Sequence, residues 1–556
     1  MEKISACIIG LLLIAACGKS SSGLEPGPET KPVPTDFNFS YWTVDDKPAQ
    51  TIFYDVRKQP VISFKLPAKI DKATAAAAVT MKEKQGNAVA LQLSYDLSDS
   101  LLVVRPAQAL AFYSRYSIDI ATSLRSADGG KLKSAVQLQL VTSLDSSDKF
   151  PRIPDDELLT KVQQQTFKYF WDFAHPVSGL TRDRNSSGDI VTSGGSGFGI
   201  MAIIVGVNRN FVTRQDALAR TQKMVGFLKN AQKVKGAFSH WLNGTTGAIV
   251  PFSTKDNGAD LVETALLMQG LLAARQFFNG ADAAETTLRA DINALWQGVE
   301  WDWFRKNNEN VLYWHYSNDF NWEMNLPIRG WNECLITYLL AASSPTHTIP
   351  KEVYDQGWAA NGNIRNTNKY YDIMLPFGVP MGGPLFFSHY SFLGINPNGL
   401  TDAYGNYQQQ VINHSMISYK HAVLNPNHQF GYSDQCWGLT ASDIPGGYAA
   451  SSPTNDLGVI APTAALSSFP YTPVESMKAL KFYYYVLGDK LFKEYGFIDA
   501  FSLKEGWFAD SFLAIDQGPI IVMIENHRSK LIWNLVMSCA EVKTGLQKLG
   551  FTAPGL

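Results

Sequence analysis

The spacing of apolar residues changes period once along the chain. From Phe37 to about Thr142 apolar and polar positions alternate, as in PVISFKLP (Pro60 to Pro67), AVALQLSY (Ala88 to Tyr95), LLVV (Leu101 to Val104) and YSIDI (Tyr116 to Ile120). A period of two is that of a strand with one buried face. Turn signals such as Asp128-Gly129-Gly130 separate these runs. Short strands at this spacing predict a β-sandwich over 36–143. It holds no acid or histidine cluster, so its expected role is a spacer or packing partner.

A polar linker is expected over 144–154. From Asp155 the apolar residues recur at helical spacing. Helices are predicted over Asp155–Ala174, Arg214–Ala231, Ala259–Phe278, Ala284–Phe304, Asn332–Ala342, Gly405–Leu424, Val474–Leu487 and Arg528–Leu549. Shorter ones are expected over Gly199–Val207, Lys351–Ala360, Ala461–Phe469 and Gly518–Ile524. Their connectors are long and aromatic, as in GAFSHWLNGTTG and LYWHYSNDFNWEMN. Paired helices with elaborate loops predict an all-α domain, an (α/α)6 barrel over 155–553, with its function at the loops and inner-helix ends.

The first residues break the pattern. An apolar run from about Ile8 to Ala16 is too short to span a bilayer. Ile14-Ala15-Ala16-Cys17-Gly18 resembles a bacterial lipobox. That resemblance implies a signal peptide over 1–16, lipidation at Cys17, and a tether over 17–35 rich in Ser, Gly and Pro. Gly18-Lys19 lacks an Asp after the Cys, so the expected location is the outer membrane, with the lipid as the sole membrane contact. Cys334, Cys436 and Cys539 are scattered without zinc-type spacing. They read as buried thiols, although one pair could bridge.

Composition adds little. The 556 residues carry a net charge of −2 with 18% charged residues, which gives no footprint for nucleic acid or an anionic surface. The 12% aromatic content, with 13 Trp and 23 Tyr, leans towards carbohydrate, because sugar faces stack on such rings.

The candidate chemistry begins in KDNGADLVETALL. Asp256, Asp260 and Glu263 stand at i, i+4 and i+7, which on a helix is one face. Like charges so close repel, and repulsion with burial raises one carboxyl above its neighbours, as a general acid requires. Asp256 also reads as a helix cap, and the other two suit a helix N-terminus. A metal site is a further rival, without a nearby His or a calcium-loop spacing. Glu333 follows Trp331-Asn332, where capping by Asn332 is an equally good account. The connector before it gathers His315, Asp319, Glu323, Arg329 and the stacking candidates Trp314, Trp322 and Trp331. His240 and Trp241 precede the first cluster. Arg184, Asp443 and Asp516 complete the expected substrate contacts, with Asp183 and Glu525 as further acids of interest. Asp516, ahead of Gly518-Pro519, reads equally well as a cap. No Gly-x-Ser-x-Gly elbow, phosphate loop or dinucleotide fingerprint is present, so no cofactor and no metal are expected.

Six stretches in order, YFWDFAHPVSGLTRDR, GGSGFGIMAII, GAFSHW with DNGADLVETALLMQGLL, GWNECLITYLLA, WGLTASDIPGGY and AIDQGPIIVMIENHRSKLIWNL, resemble the bacterial glucoamylase-like domain of glycoside hydrolase family 144. The preceding strands resemble a bacterial Ig-like domain. The first resemblance implies an (α/α)6 barrel that cleaves β-1,2-glucan, from within or with release of sophorose from a chain end. It implicates Asp256, Asp260, Glu263 and Glu333 in activity without assigning their roles, and fold analogy favours inversion. The expected protein is a monomer with a glucan or gluco-oligosaccharide partner and no nucleic acid. Two alternatives remain: the same fold acting on another glucan or glucoside, and a non-catalytic glycan-binding lipoprotein.

Overall fold

A computed structural model describes residues 33–556. The expected signal peptide, Cys17 and most of the expected tether lie outside the described residues. The chain divides into two compact units, Met1–Asp145 and Ser146–Leu556.

Within the described residues, the first unit is two sheets around one core. The five-stranded sheet runs Lys47–Pro48, Tyr41–Val44, Ile62–Lys65, Leu101–Pro106, Leu91–Asp96. The four-stranded sheet runs Ile52–Val56, Val136–Thr142, Arg115–Ile120, Val79–Glu83. Burial alternates residue by residue in Ile62–Lys65 and Arg115–Ile120, so Ile62, Phe64, Ile118 and Ile120 enter the core with Phe53 and Leu140. The four quoted runs leave out Val79–Glu83 and the seven-residue Val136–Thr142, along with shorter strands. Ile52–Val56 shifts register between Phe53 and Val56, which hides its alternation.

The second unit alternates deeply buried helices with amphipathic ones. Asp155–Trp171, Arg214–Asn230 and Ala283–Gln297 bury one stripe each. Between them, Ser193–Asn208 and Leu261–Phe277 are buried on nearly every side. Ser193–Asn208 packs against Leu261–Phe277 and Ala514–Ser529, and Leu261–Phe277 against Leu335–Ser343. The first of these crossings needs glycine. A Cβ on Gly270 would lie 2.2 Å from the Gly197 carbonyl oxygen, and one on Gly197 2.3 Å from that of Leu266. The two backbones meet with nothing between them, which brings both helix N-termini to the same place.

Several predicted bounds move. The helix expected over Gly518–Ile524 is Ala514–Ser529, with Pro519 inside it and not in its first turn. The single helix expected over Arg528–Leu549 breaks at Lys530 and Cys539 into Leu531–Ser538 and Ala540–Leu549. Gly199–Val207 starts earlier, at Ser193. The stretch expected as linker docks on the helical unit: the Lys149 N–H donates to the Tyr485 carbonyl at 2.6 Å, and Phe150 packs on Tyr484 with ring centroids 4.7 Å apart. Cys334, Cys436 and Cys539 are free buried thiols, and none forms a bridge. Among the described residues no helix is long and apolar enough to cross a membrane.

Candidate active site

A two-residue antiparallel ladder builds the centre of the site. Ala259–Asp260 pairs with His315–Tyr316, and the register sets His315 directly across from Asp260. Asp260 then caps the Leu261–Phe277 helix. Its Oδ1 accepts from the Val262 and Glu263 N–H groups at 3.0 and 2.9 Å. That leaves Oδ2 for two imidazoles: His315 Nε2 and His240 Nδ1 each lie 3.5 Å from it. His315 Nε2 also lies 3.3 Å from Asp256 Oδ2, and His240 Nδ1 lies 3.9 Å from Glu263 Oε1. The order Asp256, His315, Asp260, His240, Glu263 therefore alternates acid with imidazole.

That alternation sets the charges. Burial disfavours the Asp260 carboxylate, but hydrogen bonds from His240 and His315 outweigh it and hold the group far below the usual carboxylate range. Burial works against protonation of His240, yet Glu263 and Asp260 push it up to about 9. His315 likewise opposes its burial and rises to about 10 through Asp256 and Asp260. Glu263 moves the other way. Burial, with the Asp260 charge behind it, raises its pKa against the pull of His240 and the Gly194 amide. The Gly194 N–H donates to Glu263 Oε2 at 2.8 Å. A Cβ at Gly194 would sit 2.5 Å from that oxygen, so glycine is what lets the carboxyl reach the first turn of Ser193–Asn208.

Glu333 enters the same cavity from the start of Leu335–Ser343. Among the described residues no cation contributes to its charge balance. Burial pushes its pKa up to about 7, with the charges of Glu263 and Asp260 adding to the effect. It is a carboxyl that is substantially protonated at neutral pH beside acids of which one is locked ionised. That separation is what acid/base chemistry on a glycosidic bond uses.

The cavity holds about 620 Å³, room for more than one sugar ring. Asp256, Asp260, Glu263, Glu333, His240 and His315 all line it. Trp241, Trp314 and Phe252 supply aromatic wall. The Trp314 ring stacks on His315 at 13° with centroids 5.7 Å apart, and Phe252 covers His240 at 4.2 Å. His240, Asp256 and Asp260 present ligand atoms within 4.8 Å of one another, a donor set for a divalent cation. The proton that His240 holds up to about 9 competes for that position.

Several expectations need correction. Asp256, Asp260 and Glu263 do not share a helix face: Asp256 is in the loop before the ladder, Asp260 is the cap, and Glu263 alone is helical. The ladder interrupts the helix that the spacing implied. Asn332 does not cap from the N-cap position; it turns the chain two residues before the N-cap Cys334 by accepting from the Cys334 N–H at 3.0 Å. Trp331 is 4% exposed and packs between Phe377 and Phe392, each at 27°, so it is core and not a sugar platform. Trp322 packs on Trp303 and Tyr316, at 4.8 and 4.9 Å, and is not among the residues lining the cavity. Asp443 and Asp516 stand behind the wall, while Arg184 and Asp183 reach the cavity. Glu525 is structural, held by Arg209 at 2.7 Å with no exposed side-chain surface. The spacing of the sequence gives His315 no acid partner, because Asp260 and Asp256 are 55 and 59 positions away from it; only the strand pairing brings them together.

The sequence model of a family described as "Putative glucoamylase" matches residues 325–540. A Bacteroides uniformis protein of the same description, of known crystal structure, is 53% identical, with TM-score 0.72 over 73% of this chain and 99% of that one. The chain belongs to this glucoamylase-like family. The same fold is found in an endo-β-1,2-glucanase from Chitinophaga pinensis, solved with sophorotriose and glucose: 49% identity, TM-score 0.71, 73% of this chain and 100% of that one. An exo β-1,2-glucooligosaccharide sophorohydrolase acting at the non-reducing end, from Parabacteroides distasonis, is 44% identical over 426 residues. That match takes in 73% of this chain and 59% of the Parabacteroides protein, so the chain spans well under two thirds of that relative. The glucoamylase-like label covers the fold; the solved relatives that share it include a β-1,2-glucanase.

Proposed function

We propose that the protein is a glycoside hydrolase of β-1,2-glucan, cutting within the chain or releasing sophorose from an end. The observation that carries this is Glu333, a carboxyl raised to about 7 by burial within the same cavity as the ionised Asp260. Glu333 protonates the leaving glycosidic oxygen. Asp256, Asp260 and Glu263, with their two imidazoles, orient the sugar hydroxyls and the attacking water. The relatives' names support the β-1,2 linkage. The alternation of buried and amphipathic helices supports an (α/α)6 barrel. The two-sheet unit suits an Ig-like module, and the lipobox-like Cys17, followed by Gly18-Lys19, suits a lipid anchor to the outer membrane.

The test incubates purified protein with linear β-1,2-glucan, laminarin and starch, followed by chromatography of the products. Sophorose or longer β-1,2-oligosaccharides from the first substrate alone is the expected result. Starch cleavage alone would sink the linkage, and binding without release from any of the three would leave a glycan-binding protein.

A further inference from the structure

Behind the wall that carries Arg184 lies a second group of acids that the proposed chemistry does not use. Asp499 and Asp516 are 1% and 2% exposed. They lie within hydrogen-bond reach of each other. Asp499 Oδ1 and Asp516 Oδ2 are buried with no donor among the described residues. Two buried carboxylates in contact cannot both stay ionised, and orphaned buried oxygens are costly. One proton held between the two carboxyls removes both difficulties.

The pair is tied to the cavity through two links. Asp499 Oδ2 accepts the Asp443 backbone N–H at 2.6 Å. The Asp443 carboxylate accepts from the Ser511 hydroxyl at 2.5 Å and from Arg184 Nη1 at 3.2 and 3.3 Å. Arg184, whose Nε also lies 3.6 Å from Asp183, lines the cavity. Among the described residues its guanidinium is the one permanently charged donor group that lines the cavity, His240 and His315 being titratable. Asp443 lies in the first strand of the Ala441–Ile444 and Gly447–Ala450 hairpin, across from Tyr448, so a shift of its backbone moves both hairpin and arginine.

We propose that Asp499 and Asp516 share a proton and, through Asp443, position Arg184 for the sugar, so that substrate binding depends on that proton. The inference rests on the hydrolase reading above. Asp516 is the donor and Asp499 the acceptor. Burial and the Asp499 charge raise Asp516 well above the usual range, and burial raises Asp499 to about 6. The other groups that face the pair are Asp443, Arg184 and Asp183, with the phenols of Tyr169, Tyr390 and Tyr448 nearby. Arg184 and the Asp443 backbone N–H favour losing the proton, and the carboxylates of Asp443 and Asp183 oppose it. Once it is lost, two carboxylates repel beneath Asp443 and the arginine loses its anchor. Asp499, Asp516 and Asp443 are positioning residues.

The test measures the affinity of the Glu333→Gln protein, whose turnover is expected to be slow, for a β-1,2-linked gluco-oligosaccharide across pH 6 to 10, with and without Asp516→Asn. An amide donates as the protonated acid does and cannot titrate in this range. The expected result is equal affinity near neutrality. In alkali, affinity falls by up to about tenfold per pH unit when Asp516 is present. That fall is absent when Asp516 is replaced. A folded Asp516→Asn protein with an unchanged curve, or with weak binding at every pH, overturns the proposal. Should that variant fail to fold, Asp443→Asn decides: loss of affinity at all pH values is expected, and affinity equal to that of the parent overturns the idea. Binding that follows an unchanged curve defeats only this inference. Absence of oligosaccharide binding at every pH defeats it together with the functional reading.

Discussion

At Glu333 and Asp260 the chemistry turns on environment and not on residue type. Both are carboxyls in one cavity, yet the imidazoles of His240 and His315 keep Asp260 ionised while burial keeps a proton on Glu333 to about 7. Glu333→Gln is therefore expected to lower kcat by roughly two to four orders of magnitude with little change in melting temperature; sophorose release and calorimetry check the two halves. The kcat/KM profile should fall as pH rises past about 7, because the acid form is the active one. An alkaline limb well above that value would remove Glu333 from the role. Asp260 separates two of its functions by substitution. Asp260→Asn keeps an oxygen for the Val262 and Glu263 N–H groups, so the fold should hold while activity is lost. Asp260→Ala loses the cap as well, at about 1 kcal/mol, which thermal unfolding resolves from the asparagine variant. These residues were legible as candidates from their charge and spacing. Their division of labour was not, because it depends on histidines 20 positions before and 55 positions after Asp260.

At the scale of elements, the helix pair Ser193–Asn208 and Leu261–Phe277 delivers the site. The Gly197–Gly270 crossing brings the two N-termini together, and Gly194 opens the path for Glu263. Gly270→Ala forces a methyl to within 2.2 Å of a carbonyl oxygen. It should destabilise by about 1–3 kcal/mol or more, read as a lower melting temperature, with activity falling in step. An unchanged melting temperature would show that the helices can separate freely. The GGSGFG run was legible as a family motif, but its glycines identify a contact only once both helices are in place. The same limit explains Trp331 and Trp322. Their sequence neighbours are those of a sugar-binding loop, yet their rings are covered by Phe377, Phe392 and Trp303, which other segments supply.

For the whole molecule, the protonated histidines have a consequence for stability. His240 and His315 are raised to about 9 and about 10 from an ordinary value of 6.5. A group whose folded pKa is raised contributes stability that is complete below its unfolded pKa and is lost as pH rises through the folded one. The helical unit should therefore have its full melting temperature below about pH 6.5 and lose it progressively from there to about pH 10. His315→Gln should lower the neutral value and flatten that decline; a scanning-calorimetry series that shows the wild-type decline unchanged in the variant would count against the clamp.

The sequence by itself determined the change of period from strand to helix, the family motifs, and the set of acids from which the chemistry is drawn. Those properties are local: alternation, helical spacing and residue identity are carried by neighbouring residues. Tertiary structure decided which acid caps, which is clamped and which keeps its proton, and it moved Trp331, Asp443 and Asp516 out of the cavity. Burial and charge pairing are set by groups far apart in the chain, and a pKa belongs to that assembled environment and not to the residue that carries it.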